Sequence, residues 1–360
     1  MPAKKKKIGI LTSGGDCPGL NAAIRGVAKP AVEIFDMKVI GFSNGYRGLM
    51  AGNGRELKDV DLSGILTLGG TILGTSRESF KKIRKDPVKI QKMIDNYNKF
   101  GLDCLVVLGG NGTHKTANLL HEKGLNVIGL PKTIDNDLYG TDLTFGFHSA
   151  VDIATEVIDR IHSTAQSHGR VMIIEFMGHD AGWLTLYAGI AGGADVILIP
   201  ELPYSIDRVI EKLTERQSEG KKFSIIAVAE GARTIDEANM AKKDYKDYYE
   251  SLPYPSMGYK VAAEIAAKAA FEIRVTVPGY QQRGGEPSPY DRVLATKFGT
   301  YAAQMIANDD YGKMVAIADN VLTAIPLGEI AGKLKLVPPD HRLVNAGRLL
   351  NTSFGQPRKT

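Results

Sequence analysis

The chain has 360 residues, 43% of them hydrophobic, enough to bury a large core, and chains of this length usually divide it between two lobes. Lys and Arg number 45 against 40 Asp and Glu, an excess too small for a dedicated nucleic-acid binder but compatible with clefts that handle phosphate. The two cysteines, Cys17 and Cys104, show neither metal-ligand spacing nor a disulfide framework, and no stretch approaches the roughly 18 to 20 apolar residues of a membrane span or a signal-peptide core, so a cytoplasmic protein is expected.

The basic run Lys4 to Lys7 abuts the apolar segment Ile8 to Leu11 and reads as a solvated strand entrance. The glycine loop Gly14-Gly15-Asp16-Cys17-Pro18-Gly19 follows, then helical spacing from Leu20 to Phe35 and a strand at Lys38 to Ile40. The same grammar returns as a strand at Asp103 to Leu108, the loop Gly109-Gly110-Asn111-Gly112-Thr113, a helix from about His114 to Lys123 and a strand at Asn126 to Leu130. Further apolar strands are expected at Val171 to Glu175, Val196 to Ile199 and Phe223 to Ala229, whereas Arg233 to Lys260, rich in Lys, Asp and Tyr, reads as exposed helix and loop. This alternation predicts an α/β fold of doubly wound lobes with mainly parallel sheets, whose ligands lie at the carboxyl ends of strands.

Gly14-Gly15-Asp16 places backbone N–H groups at a helix N-terminus, where phosphate is favoured, although a plain tight turn uses the same glycines. A second such loop in one sheet favours an extended phosphate chain, and the missing side chain at Gly112 leaves room for a bulky nucleotide. In Pro131-Lys132-Thr133-Ile134-Asp135-Asn136-Asp137 two carboxylates stand at i and i+2, on one side if the segment is extended. One would accept a hydroxyl proton and the other hold Mg²⁺; Asx-turns and a helix cap are the plainer use of the same residues. Arg77, Arg170, Arg274 and Arg283 have small or strand-entry neighbours that suit a guanidinium forked onto phosphate. None of the seven histidines has metal-site spacing.

Taken in order, Gly14 to Asn21, Pro131 to Asp137, Met177-Gly178, Gln282-Arg283-Gly284-Gly285 and Pro289-Tyr290-Asp291-Arg292 resemble the phosphofructokinase family over most of the chain. The resemblance implies transfer of a phosphoryl group from MgATP to the C1 hydroxyl of fructose 6-phosphate. It makes Asp135 the base, with Thr133 and Arg77 beside it, and assigns Mg²⁺ to Asp137 and Asn111. Gly15, Tyr46, Arg77, Glu78, Gly110, Asn111, Gly112 and Thr113 form the donor site by the same resemblance. Thr133, Asp135, Arg170, Met177, Gly178, His179, Glu230, Arg274, Tyr280 and Arg283 bind the sugar phosphate. The donor lobe would comprise 1–146 with about 283–330, and the sugar lobe about 147–282 with 331–360. Counterparts of Arg170 and Arg274 in the family reach in from a neighbouring subunit, which implies a homodimer or homotetramer.

Five positions depart from the family pattern or bear on the donor. Gly112 resembles ATP users, whereas pyrophosphate users usually carry aspartate there; Lys132 is typical of pyrophosphate users and also occurs in an ATP branch that keeps the glycine. Asn111 replaces a frequent carboxylate, so Asn111→Asp is expected to strengthen Mg²⁺ use. His179 stands where many bacterial enzymes have arginine, and His162 where an effector-binding arginine is common. The alternatives are a pyrophosphate-dependent enzyme and a non-catalytic sugar-phosphate-binding subunit.

Overall fold

A computed structural model describes residues 5–357; Lys4, the first of the basic run, lies outside them. The chain divides into two units, Met1–Ser149 with Arg283–Lys335, and Ala150–Gln282 with Leu336–Thr360. Its strands are β1 (Lys7–Thr12), β2 (Lys38–Phe42), β3 (Gly54–Glu56), β4 (Cys104–Gly109), β5 (Val127–Pro131), β6 (Val171–Phe176), β7 (Val196–Leu198), β8 (Ser224–Ala229), β9 (Ile273–Thr276), β10 (Lys313–Ala318) and β11 (Val321–Pro326). The helices that matter most here are α1 (Leu20–Glu33), α2 (Asn111–Glu122), α3 (Phe147–His168) and α4 (Pro289–Ala307).

In the first unit the sheet order is β11-β10-β5-β4-β1-β2-β3. Its five inner strands run parallel, and β3 and β11 close the edges antiparallel. β4 and β5 are buried at every residue, as strands covered on both faces must be, which is why they read as unbroken apolar runs. Strand order turns back between β1 and β4, the kind of switch point where α/β sheets open a crevice. The two glycine loops leave β1 and β4, and the Pro131–Asp137 segment leaves β5, the next neighbour. Three chemically loaded loops therefore emerge from three adjacent strands.

On one side of this unit α1 lies against α4 at glycine distance. A Cβ at Gly299 would stand 2.7 Å from the Ala23 carbonyl, and one at Gly26 3.0 Å from that of Thr296. The approach holds the end of the first glycine loop close to α4, where Gly19 faces Asp291.

The second unit has a four-stranded, all-parallel sheet ordered β7-β8-β6-β9. The α/β class with mainly parallel sheets is thus as the sequence alternation predicted. Two local expectations are corrected. α2 begins at Asn111, three residues before His114, so Asn111-Gly112-Thr113 is the first helical turn, with its N–H groups unspent, rather than loop.

Nor is Arg233 to Lys260 simply exposed. Helices Ile235–Ala238, Lys242–Ser251 and Met257–Ala266 form there, and Glu237 and Lys260 are buried. The Lys260 ammonium donates to Glu264 at 2.7 Å, to Glu237 at 3.0 Å and to the Tyr204 hydroxyl at 3.1 Å. Burial alone would lower its pKa, but the two carboxylates raise it. Composition suggested a solvated face because it does not reveal which charges will pair. Removing the cation leaves two acids facing each other, so Lys260→Met should destabilise this unit by about 3 kcal/mol or more. Chemical unfolding followed by circular dichroism checks this; an unshifted midpoint would show that the cluster contributes nothing.

Candidate active site

The turn after β1 is ringed by cations. A Cβ at Gly15 would stand 2.9 Å from Arg283 Nη1 and 3.4 Å from Arg77 Nη2, so only glycine lets both guanidinium groups this close. Lys132 Nζ donates to the Gly15 carbonyl, and Arg283 Nη1 donates to that of Asp16 at 3.2 Å. Main-chain oxygens, not carboxylates, hold these two groups. Burial pulls the Lys132 ammonium below its usual pKa, Arg283 adds to the effect, and Cys17, Asp135 and Asp16 oppose it. The segment carrying Arg77 is zipped to the turn: Gly14 N donates to the Ser76 carbonyl at 3.0 Å, and Thr75 Oγ1 to that of Gly14 at 2.8 Å.

Beside this turn lies the start of α2. Thr113 Oγ1 donates to the Ser13 carbonyl at 3.4 Å, joining the two glycine loops. The Tyr46 hydroxyl donates to the Thr113 carbonyl at 2.9 Å from a side chain that is 1% exposed, so Tyr46 supports the loop from beneath. Glu78 is engaged by Arg47 at 3.0 Å. A Cβ at Gly112 would meet nothing within 4 Å, and one at Gly110 only the Lys132 carbonyl at 3.8 Å. Asn111 Nδ2 donates to the Lys333 carbonyl at 2.7 Å, while its buried Oδ1 accepts nothing.

The loop after β5 is not extended. Asn136 adopts a left-handed conformation, φ 50°, so the i, i+2 alternation expected to align Asp135 and Asp137 does not operate. Asn136 sets the loop's shape instead: its Oδ1 accepts the Thr144 amide at 3.1 Å and its Nδ2 donates to the Asp142 carbonyl at 3.3 Å. Thr133 Oγ1 accepts the Asp135 amide at 3.0 Å, and the Thr133 carbonyl accepts Thr144 Oγ1 at 2.7 Å. Asp137 is tied through its carbonyl to the Lys335 amide at 2.8 Å.

In the second unit a cavity of 210 Å³ is lined by Met177, Glu230 and Tyr280, together with Glu175, Val277 and Gln282. Gly178 and His179 adjoin it with positive φ, 146° and 52°, and both backbone amides donate to Glu230 Oε1, at 3.1 and 2.8 Å. Glu230 thus shapes the loop as well as the cavity wall. The His179 ring is largely exposed and lies 3.5 Å from Asp180. Arg170 and Arg274 are not in this cavity; both clasp one carboxylate, Glu272, at 2.7 and 2.9 Å, and Arg170 above all holds that acid below its usual pKa.

Glu175 is the residue the sequence reading missed. Its burial raises the carboxyl pKa, and it accepts the Gly258 amide at 2.7 Å. Its signal in the sequence is a single acid inside the otherwise apolar strand Val171–Phe176.

The phosphofructokinase family model matches residues 7–306. The chain belongs to the phosphofructokinase family. It is 60% identical to an ATP-dependent 6-phosphofructokinase of Spirochaeta thermophila over 97% of this chain and 98% of that protein. Identity is 50% to ATP-dependent 6-phosphofructokinase 3 of Bacteroides thetaiotaomicron, over 97% of this chain and all of that one. It is 45% to a pyrophosphate–fructose 6-phosphate 1-phosphotransferase of Amycolatopsis methanolica, over 93% and 97%. Among solved structures, phosphofructokinase from Saccharomyces cerevisiae superposes with a TM-score of 0.77 at 33% identity, covering 91% of this chain, which spans 45% of the yeast one.

His114 ties the start of α2 to the sheet. Its Nδ1 lies 2.9 Å from the Gly110 carbonyl and must carry the proton, and its ring packs where a Cβ at Gly129 of β5 would come within 2.6 Å. Burial pushes the imidazole down to about 4. The unfolded chain, near 6.5, therefore binds the extra proton between these values, so stability is full above pH 6.5 and falls as pH drops toward 4, by up to about 3 kcal/mol. Melting temperatures from pH 7 to 5 should fall less steeply in His114→Asn; parallel profiles would remove His114 as the cause.

Proposed function

We infer that the chain moves the terminal phosphoryl group of ATP onto the C1 hydroxyl of fructose 6-phosphate, giving fructose 1,6-bisphosphate and ADP, the phosphofructokinase step of glycolysis. The observation that carries this reading is the meeting of Arg77, Arg283 and Lys132 around Gly14 and Gly15, beside the open N-terminal turn of α2. Positive charge fixed in place before the reaction is what a migrating phosphoryl group requires.

Asp135 takes the C1 hydroxyl proton as the oxygen attacks phosphorus, and the bond to the bridging oxygen of ADP breaks on the opposite side. Thr133, bonded to the Asp135 amide, keeps the base in register. Arg77 and Lys132 balance charge on the transferring group. Gly15, Gly110, Gly112 and Thr113 line the donor, with Tyr46 and Glu78 supporting. The fit for Mg²⁺ is chemical: the free Asn111 oxygen and the Asp137 carboxylate are hard oxygen donors, and Mg²⁺ is commonly held by one or two protein oxygens plus substrate phosphates. When bound, the ion would draw charge from the donor phosphates.

The sugar sits by Met177, Gly178, His179, Glu230 and Tyr280, and its phosphate is held by Arg283 with Arg170 and Arg274. The last two serve a neighbouring copy's site, so the working unit is a homodimer or homotetramer. On this reading the first unit is the donor lobe and the second the sugar lobe. No helix among the described residues is long and apolar enough to cross a membrane, which suits a cytoplasmic location.

The second reading, a pyrophosphate donor, is favoured by Lys132 and by the pyrophosphate-named relative. Gly112 favours ATP, since its Cβ direction is open rather than filled. A coupled assay with ATP or pyrophosphate in separate reactions should give turnover with ATP; turnover with pyrophosphate alone would reverse the donor assignment. Gly112→Asp should fold normally yet lose about a hundredfold in kcat/KM for ATP, the order of one like charge a few ångströms from a phosphate. Equal ATP kinetics would place Gly112 away from the donor. Asp135→Asn should lower kcat about a thousandfold with the KM for fructose 6-phosphate little changed; wild-type turnover would exclude Asp135 as the base.

A further inference from the structure

Asn111 opens α2 and Asp137 stands on the loop after β5, and one short segment grips both. Gly332 to Lys335, the last stretch of the first unit, reaches Asn111 from 222 positions away in sequence. The Lys333 carbonyl accepts Asn111 Nδ2 at 2.7 Å, Leu334 forms an antiparallel bridge with Leu138, and the Lys335 amide donates to the Asp137 carbonyl at 2.8 Å. Lys335 Nζ then donates to the carbonyls of Thr141 at 2.9 Å and Asp142 at 2.7 Å, and the Lys333 ammonium lies 5.0 Å from the centre of the Tyr139 ring.

An amide has a donor end and an acceptor end. The Lys333 carbonyl can only accept, so it fixes the Asn111 nitrogen toward this segment and leaves the oxygen for another partner. A carboxylate at 111 would set acceptor against acceptor and break the tie. The charge-based expectation that Asn111→Asp strengthens Mg²⁺ use is therefore opposed by the fold, and the geometry supplies a reason for an amide at this position.

We propose that Gly332–Lys335 is a positioning strap for the metal and donor end of the site, orienting the Asn111 oxygen and the Asp137 loop as one assembly. The proposal rests on the Mg²⁺ and ATP reading above and deepens it. Lys335 is a positioning residue that acts through the 137–142 loop.

The test is Mn²⁺ binding in the presence of ADP, followed by electron paramagnetic resonance, together with the Mg²⁺ dependence of turnover, for the full chain and its variants. Lys335→Met should weaken Mn²⁺ binding and raise half-saturation by Mg²⁺ about tenfold, the effect of losing a hydrogen bond from a charged group. The KM for fructose 6-phosphate should move less than about twofold, and Lys335→Arg should recover most of the loss. Asn111→Asp should weaken Mn²⁺ binding rather than tighten it, and Asn111→Ala combined with Lys335→Met should cost less than the product of the single effects.

Unchanged Mn²⁺ binding in Lys335→Met with only a lower melting temperature would overturn the proposal, as would tighter binding in Asn111→Asp. The latter keeps the proposal falsifiable even if Lys335→Met fails to fold. A wild-type chain that binds no Mn²⁺ with ADP would sink the Mg²⁺ and ATP reading itself, before any variant is compared.

Discussion

The first unit turns on one electrostatic constraint: three cations, Arg77, Lys132 and Arg283, must stay together around Gly14 and Gly15, with Asp135 and Asp16 only partly offsetting the burial of Lys132. Like charges in a partly buried site repel, and burial already lowers the pKa of Lys132. The fold meets the cost with main-chain dipoles. Lys132 is held by the Gly15 carbonyl and Arg283 by that of Asp16, so each cation is localised but not neutralised. Such charge retains its attraction for an incoming phosphate. Gly15 follows from this, because a side chain there would push the Arg283 guanidinium away from the turn, whereas Gly14 answers to its left-handed backbone, φ 88°.

The second unit handles its arginines in the opposite way. Arg170 and Arg274 share Glu272 at an exposed edge, where ion pairing in high dielectric contributes little and is readily exchanged. A phosphate arriving there would compete with a carboxylate already in place. The cavity residues are held more rigidly: one Glu230 oxygen takes two successive amides, fixing Gly178 and His179 in left-handed conformations that an unsupported histidine would rarely adopt. One unit thus stores unpaired charge in a rigid turn, and the other stores shape around a carboxylate.

Much of this was legible in sequence, for reasons that differ by residue. Strand, glycine loop and helix follow one another locally, so β1, β4, β5 and the turns after them declare themselves by period and composition. The features missed depend on partners that no periodicity or composition names. Nothing near Asn136 announces a left-handed turn closed by Thr144 and Asp142. Lys260 looked solvated because composition does not show that Glu264, Glu237 and Tyr204 converge on its ammonium. The hydroxyl of buried Tyr46 supports the Thr113 carbonyl across 67 positions of sequence. The strap was least visible of all, since its grip on Asn111 and Asp137 is largely main-chain and leaves no side-chain signature.

Donor choice is the property that overall similarity decides least. Relatives between 45% and 60% identical carry both ATP and pyrophosphate in their names, so membership of the family does not by itself set the donor. Lys132 is a poor discriminator on physical grounds: its ammonium is committed to the Gly15 carbonyl and meets whatever phosphate lies against that turn, from either donor. Gly112 is a better one. It occupies the first turn of α2 and its Cβ direction is open; on the proposed reading of this turn as the donor site, a carboxylate there would project where a nucleotide's additional bulk and charge must pass. A compact donor ending at the second phosphate would not need that space. If the first turn of α2 meets the donor as proposed, the selective element is the absence of one side chain next to a charge cluster open to either donor, and closely similar chains could differ in donor without differing in fold.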